Sequence, residues 1–164
     1  MSPVKPSRRQ QRLRAALADA VRRHSTATVL FHAAIAERLG LNPTDHKAAD
    51  LIIQRGPLSA GELATLTGLT TGAVTGIIDR LEAAGWVRRA RDPADRRRVI
   101  VTLALTGEPM RRVAAVFEPA ARALAHALDG YSEAELATLL DFVERSRALV
   151  EQEALRLRGG RARP

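Results

Sequence analysis

Six arginines fall within eleven residues of this chain: Arg88, Arg89, Arg91, Arg96, Arg97 and Arg98, offset only by Asp92 and Asp95. A guanidinium carries five N–H donors in a planar fork that matches phosphate oxygens and base edges. Donors this dense on an exposed hairpin tip suit a polyanion better than a protein interface, whose core is depleted in charge. The tip also matches the width of a DNA minor groove, where the negative potential of a narrow A·T-rich segment favours arginine. A solvated charged loop is the plainer alternative.

Just upstream, Val74, Ile77, Ile78 and Leu81 follow the i, i+3, i+4, i+7 spacing of an amphipathic helix. The opposite face carries Gly72, Gly76, Asp79, Arg80 and Ala83, with Thr75 at its edge. Each glycine inside a helix costs roughly 0.5–1 kcal/mol relative to alanine. Close approach of the helix backbone to DNA accounts for both, and contact with another helix of the same protein is the alternative. Thr70 and Thr71 stand at the helix start, where free N–H groups and the helix dipole favour a phosphate. Thr75 can meet a base edge or a thymine methyl. Arg80 can reach guanine or a phosphate, or instead pair with Asp79, Glu82 or a wing residue. Asp79 is expected to be neutralised by an arginine. The expected DNA-contacting set is Ser59, Thr70, Thr71, Gly72, Thr75, Gly76, Arg80, Arg88, Arg96, Arg97 and Arg98.

The elements that must position these residues are legible from breakers and periodicity. From Ser7 to about Leu39, the residues Leu13, Leu17, Val21, Thr28, Phe31, Ile35 and Leu39 predict one long helix with a buried stripe, ended by Gly40. Asn42-Pro43-Thr44 opens a second helix with Ala48, Leu51 and Ile52 on its apolar face, stopped by Gly56-Pro57. Ser59 and Glu62 form a capping box for a short third helix that runs to Leu66. Thr67-Gly68-Leu69 is the turn to the fourth, which Thr70 caps. After Gly85 the period changes: Trp86 to Arg91 and Arg97 to Leu103 predict a hairpin turned by Asp92-Pro93-Ala94-Asp95. Thr106 begins a fifth helix through Met110, Val113, Phe117, Ala121, Leu124 and Leu128. Ser132 and Glu135 box the start of a sixth, which runs to roughly Leu157. Two short helices and a hairpin in this order spell a winged helix-turn-helix, whose second short helix lies in the major groove.

Composition is consistent with that reading. Net charge is +8, with 26 basic against 18 acidic residues, and Lys5 and Lys47 are the only lysines. Basicity of this size attracts polyanions. Aromatics are 3% and apolar residues 46%, which suits an aliphatic, mainly helical core. Absence of cysteine excludes disulfides, thiolate zinc sites and thiol oxidation sensors. No apolar run approaches the ~18 residues of a membrane helix, and the basic start, Met1 to Arg14, lacks a signal-peptide core, so a cytoplasmic location is the default. His24, His32, His46 and His126 form no HxxxH or HExxH pair. There is no nucleophile elbow, phosphate loop or catalytic carboxylate pair, so no enzyme, cofactor or metal is expected.

From Leu58-Ser59 to Leu103, with Asp79-Arg80-Leu81-Glu82-Ala83-Ala84-Gly85-Trp86-Val87 and Asp92-Pro93-Ala94-Asp95-Arg96-Arg97-Arg98, the sequence resembles the MarR family of multiple-antibiotic-resistance-type regulators. The DPxDRR wing is the family's most distinctive motif, and helix order agrees over nearly the whole chain. The resemblance implies a mainly α fold with a small β-hairpin wing. It implies a ligand-responsive repressor acting as a homodimer on a pseudo-palindromic operator in double-stranded DNA. Residues 1–55 and 106–158 would supply dimerisation and support, residues 56–105 the DNA-binding region, and residues 159–164 a disordered tail. In the family, the residue matching Asp95 braces the wing by pairing with a basic residue, and that matching Arg97 enters the minor groove. Arg96 and Arg98 would be phosphate or bracing partners. A small-molecule effector, an aromatic or phenolic acid, would bind between the dimer helices and the winged region, near Phe31, His32 and His46. Where family members often carry arginine in the recognition helix, this chain has Gly76, so readout is expected to lean on Thr75, Arg80 and the wing. The competing reading is a winged-helix module that binds protein instead of DNA, which the arginine cluster disfavours.

Overall fold

The computed structural model describes residues 6–95 and 97–159. In chain order these form α1 (Arg8–Arg38), α2 (Pro43–Arg55), β1 (Leu58–Ser59), α3 (Ala60–Thr67), α4 (Thr71–Ala83), β2 (Val87–Arg91), β3 (Val99–Leu103), α5 (Gly107–Leu128) and α6 (Glu133–Gly159). Helix starts follow local side-chain chemistry. Asn42 caps α2 ahead of Pro43, and Thr70 Oγ1 accepts the Ala73 N–H at 3.3 Å to cap α4. At α3, Ser59 Oγ accepts the Glu62 N–H at 3.2 Å while Glu62 takes the Ser59 N–H at 2.7 Å. Ser132 and Glu135 repeat that box at α6. Gly68 ends α3 in the left-handed conformation, at φ +72°, which a Cβ would penalise. The α3–α4 break therefore runs from Gly68 to Thr70, one residue later than the sequence suggests.

The hairpin pairs Val87 with Leu103 through to Arg91 with Val99. A third strand, β1, adds to the outer side of β3, giving the order β1-β3-β2. Two residues are too few for alternation to show, so this strand is invisible to pattern reading. Its Leu58 is buried.

One aliphatic core joins the middle of the chain. Ala48, Ala49, Leu51 and Ile52 of α2 meet Leu63, the Val74, Ile77, Ile78 and Leu81 stripe of α4, and Trp86, Val87, Val101 and Val113. Helix α4 packs on α2, α3 and β2, so its apolar face is fixed and its opposite face is fixed outward. The long helices behave differently. The expected α1 stripe is not buried within the chain: Ile35 is 2% exposed but Leu13 is 61%, and Leu17, Thr28 and Phe31 are also exposed. Leu124 and Leu128 of α5 are exposed too. These helices run past the end of the core, so nothing among the described residues covers their apolar stripes. Gly159, expected in a disordered tail, closes α6, and residues 160–164 lie outside the described residues. Among the described residues no helix is long and apolar enough to cross a membrane.

Candidate nucleic-acid interface

Helix α4 turns its uncharged residues outward. Thr71, Gly72 and Thr75 are exposed and Gly76 is half-buried. A Cβ at Gly72 would meet nothing within 4 Å, and one at Gly76 would meet only Arg80 Nη1, at 3.5 Å. Among the described residues, packing against another helix therefore does not explain either glycine. Thr75 Oγ1 donates to the Thr71 carbonyl at 2.9 Å, which aims its methyl and its remaining lone pairs elsewhere. Thr70 and Ser59 serve as the caps of α4 and α3.

The arginine cluster divides in two. Arg89 is clamped: its guanidinium bonds Asp79 and Glu82, and its backbone N–H donates to Glu82 Oε1 at 2.9 Å. This ties β2 to α4 and supplies the arginine that Asp79 requires. The backbone N–H of Arg89, above all, holds the Glu82 carboxyl below its usual range. Arg98 is clamped as well, to Glu62 at the start of α3 and, at 3.3 Å, to Ser59 Oγ. The Arg98 hydrogen bond, assisted by the Ser59 N–H, lowers the Glu62 carboxyl to about 2. By contrast Arg88, Arg91 and Arg97 are exposed and carry no ion pair among the described residues. Arg96 lies outside the described residues.

The wing turn is held from the backbone. Asp92 Oδ1 accepts the Ala94 N–H at 2.9 Å and Asp95 Oδ1 accepts the Arg97 N–H at 3.0 Å. The Asp92 N–H donates to the Arg98 carbonyl and the Arg98 N–H to the Asp95 carbonyl, each at 2.9 Å. Asp95 thus accepts a main-chain N–H within the turn, and Arg96, one of the two basic side chains expected to brace the wing, lies outside the described residues. Among the described residues the arginine that approaches a wing carboxylate is Arg98, 3.8 Å from Asp92. Sequence reasoning missed Glu62 as a wing anchor, although its place in the capping box marked it as fixed.

Arg80 takes a partner that the sequence did not suggest. It forks onto buried Asp45 of α2, through Nε at 2.9 Å and Nη2 at 2.7 Å. The spacing of 35 residues hides this pair from any helical-neighbour rule.

Phe31, His32 and His46 come together. His32 Nδ1 lies 3.2 Å from His46 Nε2, Phe31 stands edge-on to His32, and Phe117 of α5 lies 6.3–6.4 Å from both imidazoles. His46 borders a cavity of about 270 Å³ that Asp50, Ile53, Trp86, Met110 and Phe117 also line. Burial, then the neighbouring His32, lowers the His46 pKa. Asp50, Trp86 and Phe117 were not anticipated as part of this cluster.

Comparison with known proteins agrees with this architecture. The family model described as MarR family matches residues 39–98. An uncharacterised HTH-type transcriptional regulator of Bacillus subtilis, YcgE, is 44% identical over 137 residues, spanning 84% of this chain and 88% of that one. The HTH-type transcriptional repressor NicR of Pseudomonas putida is 42% identical over 52 residues, 32% of this chain and 33% of its own. A MarR family protein from Bacillus stearothermophilus superposes with a TM-score of 0.61 at 26% identity, over 88% of this chain and 96% of that structure. Apo MarR from E. coli gives 0.55 at 20% identity, over 88% and 98%. With a relative this similar over most of both lengths, and with the six helices, capped helix-turn-helix and arginine wing in place, the chain belongs to the MarR family of DNA-binding transcriptional regulators.

Proposed function

We propose that this protein is a cytoplasmic repressor that binds a pseudo-palindromic operator as a homodimer and is released by a small aromatic or phenolic effector. Residues 56–105 read DNA, with α4 in the major groove and the wing in the minor groove. Residues 1–55 and 106–158 build the dimer. The observation that carries the reading is the split among the wing arginines. Two are consumed in clamps that fix the wing to α3 and α4, and Arg88, Arg91 and Arg97 are left outward beside a glycine face with nothing packed on it. A charged loop with no binding role needs no such anchoring.

In this reading Arg97 enters the minor groove, Arg88 and Arg96 neutralise phosphates, and Arg98 is a brace. The helix starts capped by Ser59 and Thr70 offer backbone N–H groups to phosphates. Gly72, Thr75 and Gly76 let α4 sit deep. Support for a dimer comes from the stripes left uncovered on the long helices: Leu13 and Leu17 on α1, Leu124 on α5, Leu140 and Val143 on α6. Apolar faces this extended mark interaction sites. Repression is favoured by the partial likeness to NicR. The effector site is the cavity beside Phe31, His32 and His46. Its charged lining residue is Asp50, with no Lys or Arg among the lining side chains, so the phenolic end of the ligand class fits better than a carboxylate. Selection of bound duplexes from a random DNA pool tests the whole reading. A two-fold symmetric motif with half-sites about one helical turn apart is expected, and failure to enrich any motif overturns it.

A further inference from the structure

Among the described residues, the ion pair between α2 and α4 leaves one edge of its guanidinium unused. The Asp45 side chain is 5% exposed and that of Arg80 56%. Arg80 spends Nε and Nη2 on the two carboxylate oxygens, and Asn42 Nδ2 donates to Oδ2 at 2.8 Å. The carboxylate is itself anchored, because the Asp45 N–H is held by the Asn42 cap at 2.8 Å. The remaining nitrogen, Nη1, lies 3.5 Å from where a Gly76 side chain would begin. The free edge of Arg80 therefore runs along the glycine side of α4. Arg89 has no such edge, since both of its Nη atoms are taken by carboxylates.

We infer that Asp45 is a positioning residue for base recognition, holding Arg80 so that its Nη1 edge meets a guanine in the major groove. The inference rests on the reading that α4 faces DNA. A fork fixed on one side by a buried carboxylate loses little freedom when the other side binds, and guanine offers the paired O6 and N7 acceptors that a guanidinium matches. Gly76 keeps the neighbouring turn clear. The side chain that replaces a recognition-helix arginine at that position is thus supplied one turn later, from a guanidinium braced by another helix.

The test compares binding to the selected operator and to a scrambled duplex at one salt concentration. Asp45→Asn makes the protein one charge more positive, which by itself strengthens binding to both duplexes. The expected result is the opposite for the operator: about a tenfold loss, the size of one specific contact, with scrambled-duplex affinity unchanged or higher. Reselection from a random pool then shows a guanine preference relaxed. In an Arg80→Ala background the Asp45→Asn change has no further effect on the operator-to-scrambled ratio. If Asp45→Asn does not fold, Arg80→Lys serves, since it keeps the charge and loses the fork; the same loss of preference is expected. An unchanged ratio in either variant overturns the assignment, as does simple additivity in the double variant. If Gly72→Leu and Thr75→Ala also leave operator binding intact, the orientation of α4 itself is wrong. If they impair it and the Arg80 variants do not, only the role of Asp45 falls.

Discussion

Helix α4 and the wing, the two regions proposed to meet DNA, are built by opposite means. Helix α4 is stripped: two glycines and two threonines face outward, and the arginine on its groove side is held by Asp45. The wing is loaded: outward arginines stand on a hairpin only five residues deep on each strand, and it is stiffened by Arg89 and Arg98 bonding carboxylates of α4 and α3. In the proposed reading the helix contributes shape, through close fit in a groove, and the wing contributes charge. A glycine face costs folding stability, while a wing arginine on the solvent side costs almost none. The two regions can thus be broken separately.

The largest effect is expected from filling the glycine face. Gly76→Leu should abolish measurable operator binding, a loss beyond a hundredfold, while circular dichroism and melting temperature stay at or above those of the parent. Gly72→Ala is milder and more diagnostic. Because a Cβ there meets nothing, folding should gain up to roughly 0.5 kcal/mol, less than at a mid-helix position because Gly72 is the second residue of α4, which raises Tm by at most about 2 °C for a chain of this size. Operator affinity should fall at the same time. A variant that melts higher and binds as well as the parent would falsify the close-approach role.

Arg97→Ala comes next, with an expected loss of roughly tenfold in operator affinity, read by competition titration. Arg89→Ala should lower affinity too, but through the clamp, so it also lowers Tm and loosens β2 in hydrogen exchange. Arg97→Ala should do neither. The smallest effect concerns acid. The Glu62 carboxyl titrates near 2 in the fold against an ordinary 4.5. A carboxyl whose folded pKa is depressed adds stability above the unfolded value. That stability is lost as pH falls from about 4.5 toward 2. Glu62→Gln should therefore flatten the fall of Tm across that window and leave Tm at pH 7 only slightly lower. His46 works in the same direction at higher pH. Its lowered pKa means that folding resists protonation, so its contribution is full above about 6.5 and declines below it. His46→Gln should remove that decline.

Local chemistry made most of the fold legible in the sequence. Capping boxes at Ser59 and Ser132, the breakers Gly40, Gly56 and Gly68, and the change of period after Gly85 all act between near neighbours in the chain. Strand β1 escaped because two residues hold no period. The α1 stripe is legible as apolar but stands uncovered within the chain, because periodicity reports which face wants burial and not whether this chain supplies the cover. The wing cluster was equally visible, but its division was not. Whether an arginine is displayed or clamped depends on carboxylates at Glu62, Asp79 and Glu82 brought close by folding. Asp45 lay furthest from reach, because a pair formed across 35 residues and two helices leaves no mark on local spacing.

The salt dependence of operator binding tests the division of labour most directly. Each Lys or Arg that neutralises a phosphate contributes about −0.9 to the slope of log affinity against log salt. Measured side by side, Arg88→Ala and Arg96→Ala, the two assigned to phosphates, should each make the slope shallower by roughly one unit. Gly72→Ala should lower affinity at every salt concentration and leave the slope where it was. Equal slopes for the arginine variants and the parent, or a slope change from the glycine variant as large as theirs, would contradict a helix that fits by shape beside a wing that binds by charge.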